Sequence, residues 1–236
     1  MDDLELMSID ADVGFTYDAR GRMLRSNEPL ATARRPAPRL VVGRTRAGNV
    51  VRFNADVPDA LADQLEAILS AEPPLLRISK GPLIGASAIR DALAAYAPVE
   101  AEESGPSYRF PDDLLPPGVE TTLITQANRE IARATFPWLY DEALDWQPTF
   151  AVVQDGAAVS ICFSSRWTER AAAAGVDTLA DFRGRGYASA VTAAWSNAVR
   201  ATGRIPFYGT GWDNLASQGV ARRLSLIAFG EHLSWT

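Results

Sequence analysis

Residues 182–195 read FRGRGYASAVTAAW and put four residues with special backbone or charge roles just before a helical pattern. From Tyr187 onward, Val191, Trp195 and Ala198 recur at helical spacing, with Ala188, Ala194 and Val199 beside them. A helix start leaves its first N–H groups without intrahelical partners, and the macrodipole adds partial positive charge there. Gly184 and Gly186 let those amides approach an anion with no Cβ in the way, while Arg183 and Arg185 add cationic groups suited to a diphosphate. The stretch is neither G-x-x-x-x-G-K-[ST] nor G-x-G-x-x-G, so it fits neither a Walker loop nor a dinucleotide turn.

The elements that must position this turn lie in the second half of the chain. Residues 119–126 read as a strand, and residues 126–144 as one or two helices interrupted near Pro137. Residues 149–166 form a hairpin around Asp155-Gly156, a pair suited to the positive φ angles of a type I′ turn. Residues 172–180 make a further strand, followed by the helix from Tyr187 to about Thr202 with Gly203 as its stop. A strand at 205–212, a helix at 214–224 capped by Asp213 or Asn214, and a final strand at 226–235 complete the order. It combines antiparallel pairing with a strand–helix–strand crossover, an α/β arrangement on a mixed sheet.

In this order of elements, Arg-Gly-Arg-Gly-Tyr-Ala at 183–188 matches the [QR]-x-x-G-x-[GA] signature and resembles the GCN5-related N-acetyltransferase (GNAT) family. Residues 175–179, Gly-Val-Asp-Thr-Leu, stand where that family has its acetyl-CoA-binding strand. Residues 212–226 resemble its second segment, through Asn214 and Leu224. The resemblance covers residues 119–236. It implies that acetyl-CoA lies where the strand at 174–180 splays from the strand at 205–211. Its pyrophosphate would take amide hydrogen bonds from Arg183, Gly184, Arg185, Gly186, Tyr187 and Ala188. Main-chain groups near Val176, Asp177 and Thr178 would pair with the pantetheine arm, and one N–H there would polarise the thioester carbonyl. Asn214 would touch the cofactor or cap the last helix, and Ser217 would bond the cofactor from the same helix.

The chain departs from the family where protons are handled. The usual tyrosine acid falls on Ala221, and the glutamate base of some members falls on Ala172. Two substitutes stand nearby: Glu169, just before the cofactor strand, as base, and Tyr208, on the facing strand, as donor to sulfur. His232, the only histidine, reads as structural on a terminal strand. Two strands usually follow the family's last helix, yet only twelve residues follow Leu224. The amino-terminal half, or the partner in a homodimer, would have to fill the gap.

Residues 1–97 read as a small α+β domain. Hairpins are expected at 13–26 and 39–57. A helix follows with Asp56 as cap and Pro58 in its first turn, and another ends before Pro98. No turn comparable to 183–188 occurs there, so no second cofactor is expected. Residues 98–118 hold Pro98, Pro106, Pro111, Pro116 and Pro117 and read as an extended connector between this domain and a GNAT domain at 119–236. Trp138, Trp146, Trp167 and Trp212 read as core residues or as an acceptor lining. A net charge of −6 argues against a nucleic-acid partner. The acidic start lacks a signal peptide's pattern and no run is apolar enough for a bilayer, so a cytoplasmic protein with no membrane partner is expected. Cys162, the one cysteine, lies in an apolar run as a core residue, and no metal site is expected.

The sequence thus points to acetyl-CoA-dependent N-acetyl transfer onto a primary amine of a small molecule. Direct transfer needs no enzyme nucleophile, so the lack of one is no objection. The vacant acid and base positions suggest an alternative from another class, a non-catalytic acyl-CoA-binding or sensor protein. A nucleotide-binding module unrelated to CoA is a third reading.

Overall fold

A computed structural model describes residues 1–114, 118–142 and 145–236. The chain runs α1 (Asp3–Gly14), β1 (Phe15–Tyr17), β2 (Met23–Ser26), β3 (Leu40–Thr45), β4 (Asn49–Phe53), α2 (Asp59–Leu69), α3 (Ala86–Tyr96) and β5 (Glu102–Arg109). It continues through β6 (Thr122–Leu123), α4 (Pro137–Glu142), β7 (Thr149–Gln154), β8 (Ala157–Trp167) and β9 (Ala171–Thr178). Then come α5 (Tyr187–Ala201), β10 (Ile205–Gly209), α6 (Leu215–Arg223) and β11 (Ile227–Trp235).

β1 and β2 form a small ribbon, and the other nine strands form one sheet in the order β4-β3-β11-β5-β10-β9-β8-β7-β6. Among the described residues its only parallel pair is β9 with β10, as a strand–helix–strand crossover through α5 requires. α5 buries Val191, Trp195 and Val199 against Cys162, Ala172 and Tyr208. Trp195 is fully buried, and its indole N–H donates to Ser164 Oγ at 3.1 Å. Alternation along β8 sends Cys162 to this helix and Ile161 to the opposite face, where it packs with Phe136, Leu139 and Trp146. α2 and α3 cover the β3–β11 end of the α5 face. α1 lies on the other face, its Leu6, Met7, Ile9 and Val13 packed with Val50, Phe207 and Phe229.

Most elements stand where the sequence puts them. The 155–156 turn has φ values of 49° and 80°, and α5 stops before Gly203 at φ 83°. One helix is added and three expectations are corrected. The acidic start forms α1, opened by Asp2, whose carboxylate accepts from Glu5 N–H at 2.8 Å. α2 is entered through Pro58 rather than Asp56; Pro58 has an extended ψ and no capping side chain. Pro137 begins α4 instead of interrupting a longer helix, as its missing N–H allows at a first helical position. Finally, residues 102–109 of the expected connector are extended but form a strand inside the sheet, with β10 on one side and β11 on the other. Pro116, Pro117, Ala143 and Leu144 lie outside the described residues.

β11 is the one strand after α6, and it pairs with β5 and β3, both from the first 109 residues. The first half of the chain therefore supplies the strand on each side of β11. No helix among the described residues is long and apolar enough to cross a membrane. No group of three His, Cys, Asp or Glu among them could hold a metal ion.

Candidate active site

β9 and β10 stay together for only three residue pairs, Ala171 with Ile205, Ala172 with Pro206 and Ala173 with Phe207. Beyond Phe207, β10 pairs with β5 alone, while β9 runs on to Thr178 against β8. A cleft of about 690 Å³ opens where they part, walled by the start of α5 on one side and by α6 on the other.

The open edge of β9 supplies main-chain groups. Leu179 N–H donates to Val159 O and Ile205 N–H donates to Arg170 O. Alternation from both anchors turns the peptide groups of Gly175 and Asp177 toward β8, and those of Ala174, Val176 and Thr178 toward the cleft. Of the three residues expected to pair with a pantetheine arm, Val176 and Thr178 present main-chain groups and Asp177 does not, although it lines the cleft. Ala174 takes its place. The Thr178 carbonyl accepts Arg183 Nε at 3.1 Å, which fixes the guanidinium at the rim.

The turn at the start of α5 is built as expected. Gly184 has φ 77°, and Gly186, the N-cap, has φ 85°. A side chain at either would cost about 1–3 kcal/mol of backbone strain. The first helical bond runs from Ala190 N–H to Gly186 O at 3.1 Å, so the amides of Tyr187, Ala188 and Ser189 have no helical acceptor. Ala188 lines the cleft with Arg183, Gly184, Gly186 and Tyr187. Arg185 does not; its guanidinium donates to Asp181 O at 3.0 Å and stacks over Phe182. A second cation was missed in the sequence. A Cβ on Gly186 would come within 2.7 Å of Arg223 Nη1, so Arg223 of α6 reaches across to the turn.

α6 supplies the facing wall. Asn214 caps it, its Oδ1 accepting from Ser217 N–H at 3.0 Å, and both residues line the cleft. Ser217 Oγ lies 2.7 Å from the Tyr208 hydroxyl. Tyr208 is buried in the cleft floor, and that burial pushes its hydroxyl up to about 12, so it keeps its proton. Thr210, next along the same chain segment, has a buried hydroxyl with no partner among the described residues. Nothing in the residues around it marks it for this role.

Glu169 is not brought to the cleft. It sits exposed in the turn between β8 and β9. At about 3.3 Å per residue it is roughly 20 Å along the strand from the Val176–Thr178 end. Ala221 and Ala172, the family's acid and base positions, are buried in the core beneath α5. The tryptophans also stay outside the cleft lining. Trp146 packs edge-on with Trp138 and Phe163, Trp167 lies under Arg204, and Trp212 donates to Glu231 at 2.6 Å. Burial pushes the Cys162 thiol up, as for an inert core residue. A smaller hollow of about 360 Å³ beside Arg109, Arg200 and Arg204 holds none of the residues expected at a site.

Residues 119–231 match the family model described as GNAT acetyltransferase. No curated protein matches the chain. Among solved structures, a Drosophila protein aligns over 84% of this chain and 74% of its own, with a TM-score of 0.50 and 15% identity. A GCN5-related N-acetyltransferase-like protein from Streptococcus suis aligns over 98% of this chain and 99% of its own, with a TM-score of 0.49 and 16% identity. An acetyltransferase described as GNAT from Novosphingobium aromaticivorans aligns over 58% of this chain, with a TM-score of 0.44 and 16% identity. The chain spans 65% of that protein's length. The matched segment holds the cleft, its glycine turn and both flanking helices, and the carboxy-terminal half of this chain belongs to the GNAT acetyltransferase family.

Proposed function

We propose that the protein moves an acetyl group from acetyl-CoA directly to a primary amine of a small molecule. One arrangement carries this reading: an unpaired strand edge leads, within one cleft, to a helix start whose amides are free and whose cap is a left-handed glycine. The diphosphate would lie against the amides of residues 184–189, flanked by Arg183 and Arg223. The pantetheine arm would follow Ala174, Val176 and Thr178 along the edge as an added strand, and one of those N–H groups would polarise the thioester carbonyl. Placing the amine beside that carbonyl supplies much of the rate. Tyr208 keeps its proton, so its hydroxyl, paired with Ser217, serves as a hydrogen-bond donor near the leaving sulfur. Acetyl-CoA supplies the activated acyl group, and the reading needs no metal.

The test adds acetyl-CoA with a panel of primary amines (spermidine, lysine, tyramine and kanamycin) and follows free thiol, with thermal shift as the binding readout. Stabilisation by acetyl-CoA together with amine-dependent thiol release is the expected result. Stabilisation by ATP or NAD but not by CoA overturns it. The buried alanines at 172 and 221 favour one other reading, an acyl-CoA sensor, for which binding occurs with no thiol release from any amine.

A further inference from the structure

Three polar side chains from distant parts of the chain meet on the sheet face opposite α5. Ser107 of β5 is buried, and its Oγ donates to Asp10 Oδ2 of α1 at 2.9 Å. The same Oγ lies 3.4 Å from Nδ1 of His232 on β11. The ring spans β5 toward β10. A Cβ on Gly209 would be 3.9 Å from its Cε1, and Gly209, the register partner of Ser107, lines the cleft where β9 and β10 part. With Nδ1 turned to Ser107 and Cε1 turned to Gly209, the Nε2 edge is the part of the ring left for another partner. Gly209 itself adds no side chain beside the ring, and it is through this glycine that the ring borders the cleft.

We propose that His232 takes the proton of the attacking amine on Nε2, and that Ser107 and Asp10 are positioning residues that hold the ring in the tautomer able to do so. The proposal rests on the acetyltransferase reading above. Its logic is a count of hydrogens. A serine hydroxyl has one proton to donate, and an ionised Asp10 takes it. Ser107 Oγ can then only accept from His232, so Nδ1 carries the ring proton and Nε2 keeps a lone pair. If Asp10 is protonated, every donor in the chain reverses, and the ring proton moves to Nε2, where it blocks the base. In the transfer step the amine nitrogen bonds to the thioester carbon, its proton passes to Nε2 and the C–S bond breaks. The sulfur leaves with the electron pair and then takes the proton from the imidazolium, which gives thiol, amide and a neutral ring.

Burial sets the working range of this relay. It raises Asp10 to about 6, against the hydrogen bond from Ser107 and the charge of Arg166, and lowers His232 to about 4. The charged neighbours are few. Arg166 of β8 is the cation facing Asp10 and is itself paired with Glu28 after β2, while Arg52 of β4 goes to Ser8 and Asp12. β3 and β5 place Gly43 and Gly105 opposite His232 in the register. The ring therefore stays uncharged at neutral pH, and the titration of Asp10 decides its tautomer.

His232 is the only histidine, so untagged protein with isotope-labelled histidine shows one ring by NMR. Above pH 6 the spectrum should show a neutral ring protonated on Nδ1. As the pH falls through about 6 the proton should move to Nε2, and Ser107→Ala should abolish that switch. Acetyl-CoA should shift the Nε2 signal. An ordinary imidazole titration near 6.5, an Nε2-protonated ring above pH 6, or an Nε2 signal unmoved by bound acetyl-CoA overturns the proposal. Thermal shift separates the two levels. If acetyl-CoA does not bind, the acetyltransferase reading fails. If it binds and the ring does not behave as described, only the role of His232 fails.

Discussion

The two ends of the cleft are made differently. The end proposed for the phosphates is six consecutive residues, 183–188, that would work mostly through backbone: two left-handed glycines, the free amides of a helix start and an edge carbonyl holding Arg183. The end where we propose the chemistry draws on side chains from β10 and α6 in the cleft wall and from β5, β11 and α1 behind Gly209. Tyr208 meets Ser217 across 9 positions, but Ser107 meets Asp10 across 97 and His232 across 125. An anion can be gripped by a local backbone shape that travels as one short motif. A proton path needs side chains at fixed angles, and any strand can supply them once the sheet is closed. On this proposal, Ala172 and Ala221 can be core residues while the glycine turn at 183–188 keeps its shape.

If the two ends are separable in this way, substitutions should split binding from turnover. Gly186→Trp should have the largest effect, because its side chain fills the turn and its φ of 85° strains any other residue. Affinity for acetyl-CoA in titration calorimetry should fall at least hundredfold, about 2.7 kcal/mol, while circular dichroism stays native. Tyr208→Phe should act at the other end, with turnover falling about tenfold and acetyl-CoA affinity changing little. An equal loss in both would join the two ends and break the comparison. Acid stability sharpens it further. Between pH 6.5 and about 4 the unfolded chain protonates His232 while the folded chain does not, so this residue costs stability as the pH falls. Asp10 acts in the opposite sense, since the folded chain protonates it first. Denaturant titrations should therefore show His232→Gln gaining stability relative to wild type on acidification through this range. Asn214→Ala should cost about 1 kcal/mol of stability through the lost α6 cap, read from the urea midpoint. Glu169→Gln should change nothing beyond about twofold, as expected for an exposed turn.

The same contrast explains what was legible beforehand. The glycine turn, the Asp155-Gly156 hairpin, the Asn214 cap and the helix through Trp195 are local patterns, and each stands where the residues place it. The stretch at 98–118 was harder, because prolines mark linkers and strand edges alike. Pro106 lies inside β5, a strand with partners on both sides. Its neighbour Gly105 is required there by contact, since a Cβ would collide with the Thr210 carbonyl. α1 was hidden by its acidic first turn, although its apolar residues pack on the sheet. Arg223 and Thr210 carry no signal at all in one sequence, because only the folded sheet brings them to the cleft. His232 read as structural for the same reason, since nothing near it in the chain predicts Ser107 or Asp10.

The most direct test of the central claim is a crystal structure of the protein soaked with CoA. The diphosphate should lie within hydrogen-bond distance of the amides of residues 184–189, with the pantetheine arm along Ala174, Val176 and Thr178. CoA density anywhere else, or a cleft that stays empty at saturating CoA, would contradict it.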